Sequence, residues 1–530
     1  MKQITAAKLT TILFFFTTLL WSVFLPVFEA PDETSAYEYA LYMSKTWKIP
    51  DLREFSNQGF HHWQPLYFFL LAPVANVTNA PSSLGSKYYY KNSWERIYRD
   101  NPTNIFSHQP SEFKFDWDGI AASLHVMRLV SVLLATGSVW FVFLTSREVF
   151  GSTSNLPIVT TSLFGFNPQF INYSGALNVV NMVTFVSSMA IWQAVKIIGQ
   201  KRASLKSYAC LGSLLGIAII SKMTSLTLLP VSLGMVIWKR IREKIPVLPA
   251  LAFLIVFFML SGGWFLIRNK ILYGEFSGVT TQITMVYGKV RNPFLEEVGW
   301  LNYLISYPKT QWKTFWSGFS WLTFYLPHIF PLIMAWIYFI GMLGYGMILL
   351  DKSTAVKMKN QLILLGAFVL LGWLGITRTI FQVEVFNGKD MFFVSGALAI
   401  VVMAGIIEFW RNLGKIGARA NAFSGCFLTG LSVFWMNQME LVNIVKWNFT
   451  GQDIFLVLKT LVFSSLVWIM ILKLVRLKRV RVNVGKIVSL ARFLPVFSIA
   501  LVATNLIILF FQVVPSLYHQ SVLRLIQGGG

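Results

Sequence analysis

Apolar residues fill this chain in runs of about 17 to 25, the length a helix needs to cross a bilayer. About thirteen runs meet that rule, near 8–27, 124–146, 155–172, 178–198, 205–221, 223–239, 246–269, 327–350, 361–379, 391–410, 421–443, 453–475 and 490–514. Lipid offers no partner to a free peptide group, so each run is expected to be a helix. The pattern therefore predicts an all-α polytopic membrane protein of about thirteen transmembrane helices.

The connections give an orientation. "GQKRASLK", "WKRIREK", "DKSTAVKMKN", "FWRNLGKIGARAN" and "KLVRLKRVRVNVGK" are short and basic. With thirteen spans they share one side with Lys2 and Lys8. By the bias of Lys and Arg toward the cytoplasm, that side is cytoplasmic. The two long polar segments, 28–123 and 271–326, then lie outside, with a third short one at 378–390. The N-terminal run is about 20 residues long and lacks a small-residue cleavage site, so it reads as a retained first span.

Composition agrees and narrows the class. Of 530 residues, 55% are hydrophobic and 13% charged, against about 25% charged in soluble proteins. The net charge of +23 sits mostly in the connections, so it sets topology and meets anionic headgroups rather than nucleic acid. Cys210 and Cys426 both fall in apolar runs, which argues against a disulfide framework or a thiol metal site.

Candidate chemistry begins where the first run ends. "FEAPDETSAYEYALYMSKTWKIP" places Glu29, Asp32, Glu33 and Glu38 together. Pro31 suits a first helical turn, and Ala36, Tyr39, Ala40 and Met43 form an apolar stripe. An interfacial helix from Asp32 to about Trp47 is expected, with Asp32 either a cap or a free acid. Next, "GFHHWQPLYFFLLAPVANV" supplies His61, His62, Gln64 and Tyr67 ahead of a second short apolar helix.

These two motifs, in this order, resemble the C-type glycosyltransferase superfamily, which includes protein O-mannosyltransferases and lipid A aminoarabinose transferases. Further likeness lies in "LHVMRLVSVLLATGSVW", in "LLGIAIISKMTSLTLLP" with Lys222, in "GGWFLIRNKILYGEFSG", in "TFWSGFSWLTFYLP" and in "FNGKDMFF" with Lys389. The resemblance covers residues 1–410, read as one transmembrane module; 411–530 are read as additional helices. Where many relatives carry Asn-x-Asp, this chain has Asn178 and Asn181 with no acid.

The resemblance implies transfer of a sugar from a polyprenyl-phosphate carrier to an acceptor hydroxyl on the extracytoplasmic face. The acceptor would be a glycan, a lipid-linked glycan or a protein. A hydroxyl needs its proton removed as it attacks, and one fixed carboxylate suffices for a single inverting displacement. Asp32 is the expected base, and Glu33 its companion in orienting or acceptor binding. Lys389, Arg378 and Arg268 are the expected holders of the donor phosphate. His61, His62, Gln64, Tyr67, Asn178, Asn181 and Trp316 are expected around the substrate pocket. No metal ligand set is expected; a divalent cation is allowed but not required. Expected partners are the lipid-linked donor, the acceptor and membrane lipids, in a bacterial inner membrane. The rival class is a transporter or flippase of a lipid-linked glycan, and a silent scaffold is a second rival. Residues 77–123 are expected to shape the acceptor side.

Overall fold

The computed structural model describes residues 2–54, 63–81, 106, 119–287, 300–322, 325–326, 329–380, 387–413 and 494–509. The calls for spans at 421–443 and 453–475, for His61 and His62, and for most of the 77–123 segment lie outside these residues. Among the described residues the elements are helices. They are α1 (Lys2–Phe24), α2 (Glu33–Thr46), α3 (Leu66–Val77), α4 (Gly119–Phe150), α5 (Leu156–Gly165), α6 (Pro168–Ser174), α7 (Val180–Gly199) and α8 (Leu205–Ile219). There follow α9 (Leu228–Arg242), α10 (Leu248–Phe258), α11 (Trp264–Tyr273), α12 (Val279–Tyr287), α13 (Trp300–Trp316), α14 (Ile329–Leu350), α15 (Val356–Ile380), α16 (Phe392–Leu413) and α17 (Leu494–Ile508).

Among the described residues, seven helices are long and apolar enough to cross a membrane. They are α1, α4, α7, the joined α10–α11, α14, α15 and α16. The protein is thus an integral membrane protein. Three further expected spans are shorter or broken. The 155–172 run divides into α5 and α6, because the Asn167 side chain accepts from Gln169 N and Phe170 N and starts a new helix with Pro168 in its first turn. The 205–221 run is α8, which ends before Lys222. The 223–239 run opens as a 3₁₀ turn, Met223–Thr227, before α9.

Large apolar side chains face outward as well as inward. Phe16 is 54% exposed and Leu133 56%, which suits contact with lipid tails. Inside, helices approach through glycine. A Cβ on Gly344 of α14 would lie 1.8 Å from the carbonyl oxygen of Gly405 on α16, and one on Gly262 would lie 1.9 Å from that of Gly216 on α8. Such small-residue contacts replace the hydrophobic drive that lipid removes.

The chain alternates between two ends. At one end Gln3 donates to Ser154 O at 2.5 Å and Lys239 to Gln200 O at 2.6 Å, and Gly199 packs beside Lys357 and Gln361. The basic connections at 199–206, 238–244 and 351–360 gather there. At the other end lie the exit of α1, the interfacial α2 and α3, the start of α16 and the α13 helix. Leu52 N donates to the Tyr273 hydroxyl at 3.1 Å across this end.

Candidate active site at the exit of the first span

Helix α1 ends at Phe24 and the chain turns sharply before α2. Phe28 and Asp32 both have left-handed backbone, with φ 65° and 70°. Asp tolerates this region better than most residues, because its short polar chain escapes the usual clash. Asp32 occupies the N-cap position of α2 yet makes no capping hydrogen bond. Its carboxylate instead meets Lys389 Nζ, 357 residues away. The Asp32 side chain keeps 19% of its surface accessible.

Glu33, its neighbour, is fully buried. One oxygen accepts from Arg128 Nε at 2.8 Å and Leu177 N at 2.8 Å; the other accepts from Arg128 Nη2 at 2.6 Å and Phe28 N at 3.1 Å. Arg128 on α4 also donates to the carbonyls of Ser22, Leu25 and Pro26, which α1 leaves open at its C-terminal end. Two charges are thus removed from water and satisfied completely. Glu33 is placed in the scaffold, with no surface left for an acceptor. Glu29 is also buried; it accepts from Phe106 N at 2.9 Å and from Ser320 Oγ at 2.7 Å.

Lys389 and Asp390 come from "FNGKDMFF", and its residues from Asn387 to Asp390 each make a specific contact. The Asn387 side chain accepts from Lys389 N at 3.0 Å and donates to the Tyr173 hydroxyl at 2.9 Å. Gly388 N donates to Thr314 Oγ1 at 2.8 Å, and a Cβ there would meet Phe315 N at 2.3 Å. The Lys389 ammonium lies 5.2 Å from the Tyr173 ring centre as it reaches Asp32. Asp390 pairs with Lys222 at 2.5 Å.

The second sequence motif builds the approach to Lys222. Leu66 N donates to Ile220 O at 3.1 Å, and Met223 N donates to the Gln64 side chain at 3.0 Å. Between these clamps Lys222 is extended, with φ −163° and ψ 133°. Tyr67 shares a 2.6 Å hydrogen bond with Ser131 Oγ on α4.

The other expected residues divide. Asn178 donates to Pro31 O at 3.3 Å, directly beside Asp32, and its side-chain oxygen accepts from Val180 N at 3.0 Å. Asn181 donates to Tyr173 O at 2.8 Å. Both are buried; Asn178 holds the turn that carries Asp32, and Asn181 holds the connection between α6 and α7. Trp316 is buried among Trp312, Phe330 and Tyr338. Arg268 donates to Pro50 O at 3.1 Å and rests near Phe265 and Tyr273, in a small cleft with Trp63. Arg378 is exposed near the end of α15. Neither arginine is brought to Asp32 by a contact among the described residues.

Sequence reading missed Asp390 as the partner of Lys222, since 168 positions separate them. It also missed the anchoring role of Arg128, although the Arg-Leu string was noticed. Among the described residues no group of three His, Cys, Asp or Glu side chains comes together. The two aspartates here each already carry an ammonium, a donor set that suits charge pairing better than a cation.

Residues 120–264 match the family model for dolichyl-phosphate-mannose-protein mannosyltransferase. The stretch holds Arg128, Asn178, Asn181 and Lys222, and the resemblance to C-type glycosyltransferases is shown there. Asp32 and Lys389 lie outside it. Among solved structures, ArnT from Cupriavidus metallidurans bound to undecaprenyl phosphate is 14% identical, with 99% of this chain and 78% of that chain covered, at a TM-score of 0.45. The same protein in the apo state gives 14% identity, 99% and 78% coverage and a TM-score of 0.42. Arabinosyltransferase EmbB from Mycobacterium smegmatis gives 12% identity over 94% of this chain and 41% of that one, at 0.47. No curated protein matches.

Proposed function

We propose that this protein moves a sugar from a polyprenyl-phosphate-linked donor to an acceptor hydroxyl, with Asp32 as general base. One observation carries the reading. Asp32 is held in left-handed backbone at a helix start, uncapped, partly accessible and aimed by Lys389, while the adjacent Glu33 is locked away. The family match over 120–264 supports the class of reaction.

In the proposed step Asp32 takes the proton of the acceptor hydroxyl. The hydroxyl oxygen bonds to the anomeric carbon as the bond from that carbon to the phosphate oxygen breaks. The electron pair leaves on the lipid phosphate, which needs positive charge rather than a proton. With Asp32 as the base and Asp390 held by Lys222, no carboxylate is assigned as a nucleophile, so the displacement is single and inverts the anomeric centre. Lys389 positions Asp32 and faces the departing phosphate. The pairs lie at the end of the bundle opposite the basic connections, which the Lys and Arg bias assigns to the extracytoplasmic face of an inner membrane with the N-terminus inside. A transporter would place such charges midway along its helices, which favours the enzyme over the flippase. The acceptor is a glycan, a lipid-linked glycan or a protein.

The test uses purified full-length protein with labelled polyprenyl-phosphate sugars and candidate acceptors, beside Asp32→Asn. The variant should lose about 10²- to 10⁴-fold in transfer rate. Transfer by the variant at the wild-type rate removes Asp32 from the mechanism. Because both aspartates are matched by lysines, chelation with EDTA should leave the wild-type rate unchanged.

A further inference from the structure

Near Asp32 two lysines have an acidic partner, and among the described residues two others on α13 do not. Lys389 meets Asp32 and Lys222 meets Asp390. Lys309 and Lys313, one turn apart on α13, pair with no carboxylate among the described residues. Lys309 is 5% exposed, and its ammonium has no hydrogen-bond partner. A buried charge left in that state opposes folding, and a buried unsatisfied group in a native structure points to a missing ion or ligand. Lys313 Nζ stands 3.7 Å from the centre of the Tyr325 ring, a contact that orients the ammonium without neutralising it.

The helix beneath these lysines is pinned. Trp312 donates to Pro331 O at 2.8 Å, Trp373 donates to the Gln311 side chain at 3.0 Å, and Gly388 N donates to Thr314 at 2.8 Å. Neither lysine gains relief by rotation of α13. The last of these bonds joins α13 to the turn that carries Lys389 and Asp390. Tyr325 lies within electrostatic reach of Tyr173, which itself faces Lys389 and Asp32. The Gly388–Thr314 bond is the direct link between the helix of the unmatched lysines and the turn of the paired one.

We infer that Lys309 and Lys313 form an anion site whose ligand is a phosphate group. Two ammonium groups one helical turn apart, about 6 Å between Cβ atoms, suit one tetrahedral anion held by point charges. A phosphate monoester carries about −1.5 to −2 at neutral pH, matching the excess of two positive charges. Burial, then Lys313, pushes the Lys309 ammonium down to about 8, and burial lowers Lys313 as well, the expected condition of cations awaiting a counter-charge. Phosphate at this end has three sources: a polyprenyl carrier, a soluble phosphate compound, or a phospholipid headgroup. The inference rests on the proposed transfer reaction only for its choice of a polyprenyl phosphate as one probe.

Thermal unfolding of the full chain in a neutral detergent separates the outcomes. Wild type, Lys309→Met, Lys313→Met and Lys309→Arg are compared with undecaprenyl phosphate, undecaprenol, inorganic phosphate and phosphatidylglycerol. A ligand that binds only the folded state raises Tm with concentration. Phosphate-bearing probes should raise the wild-type Tm and undecaprenol should not. Lys309→Met should raise the ligand-free Tm, because a buried charge is removed, and should lose the phosphate-dependent rise; Lys309→Arg should retain it. Stabilisation by undecaprenyl phosphate alone assigns the site to the lipid carrier. Stabilisation by inorganic phosphate assigns it to a soluble compound, and an equal effect of phosphatidylglycerol assigns it to a headgroup. A phosphate-dependent rise that survives in both methionine variants overturns the inference. So does the absence of any rise, or a fall in the ligand-free Tm of Lys309→Met. Asp32→Asn should bind as wild type does, so failure of the base assignment and failure of this site are distinct results.

Discussion

Asp32 and Glu33 are neighbours in sequence and opposites in environment. Glu33 and Arg128 are both fully buried, and removing one partner leaves the other charged and alone. Glu33→Gln or Arg128→Met should therefore cost about 3–5 kcal/mol, read as a large fall in Tm of the solubilised protein. Asp32→Asn takes the carboxylate from the buried Lys389 ammonium, so it should also lower Tm, though by less because Asp32 keeps 19% of its surface accessible, while transfer collapses. Lys309 adds a pH signature. Its folded value near 8 lies below the ordinary 10.5 of the unfolded chain. Between these values the unfolded chain holds a proton that the folded one has shed, so stability rises with pH across that window. Ligand-free wild type should gain Tm from pH 8 toward 10 relative to Lys309→Met. The acidic string was visible in the sequence, and so was its place after the first span. The division of labour within it was not, because it depends on Arg128, 95 positions on, and on Lys389, 357 positions on. Nothing in the sequence singles out Lys309 and Lys313, since burial is set by tertiary contacts that no local pattern reports.

Helices were legible wherever an apolar run was unbroken, as in α4, α7 and α16. They were less legible where a side chain competes with the ladder. Asn167 divides one expected span, and Lys222 with Gln64 opens another. Both breaks serve the site, since α6 carries Tyr173 and the second break presents Lys222. The stripe expected on α2 is buried in full, with Ala36, Tyr39, Ala40 and Met43 all facing α3 and its surroundings. Glycine contacts fix how closely the long helices run. Gly344→Val places two methyl groups where the Gly405 carbonyl already lies. It should cost about 1–3 kcal/mol or more and part α14 from α16, detected as lower Tm and faster proteolysis. Gly346 has open space beside it, so Gly346→Ala is the matched control and should change little.

At the scale of the whole molecule, the described basic connections and the acids near the site stand at opposite ends. Lys239, Arg240, Lys352 and Lys357 stand with the N-terminus, while Asp32, Asp390 and Glu29 stand opposite. A cysteine at Phe276 and one at Ser353, each in a chain lacking Cys210 and Cys426, should react with an impermeant maleimide from opposite faces: Phe276→Cys in intact cells, Ser353→Cys only after lysis. Labelling of both from one face would remove the assignment of the site to the outside. Glu29 ties this architecture together. It leaves the first span and is gripped by the backbone of Phe106 from one long polar segment and by Ser320 from the other. Glu29 thus joins residue 106 of the first long segment to residue 320 of the second. Glu29→Ala should release both contacts at once, so limited proteolysis should cut near 106 and near 320 in parallel rather than one after the other.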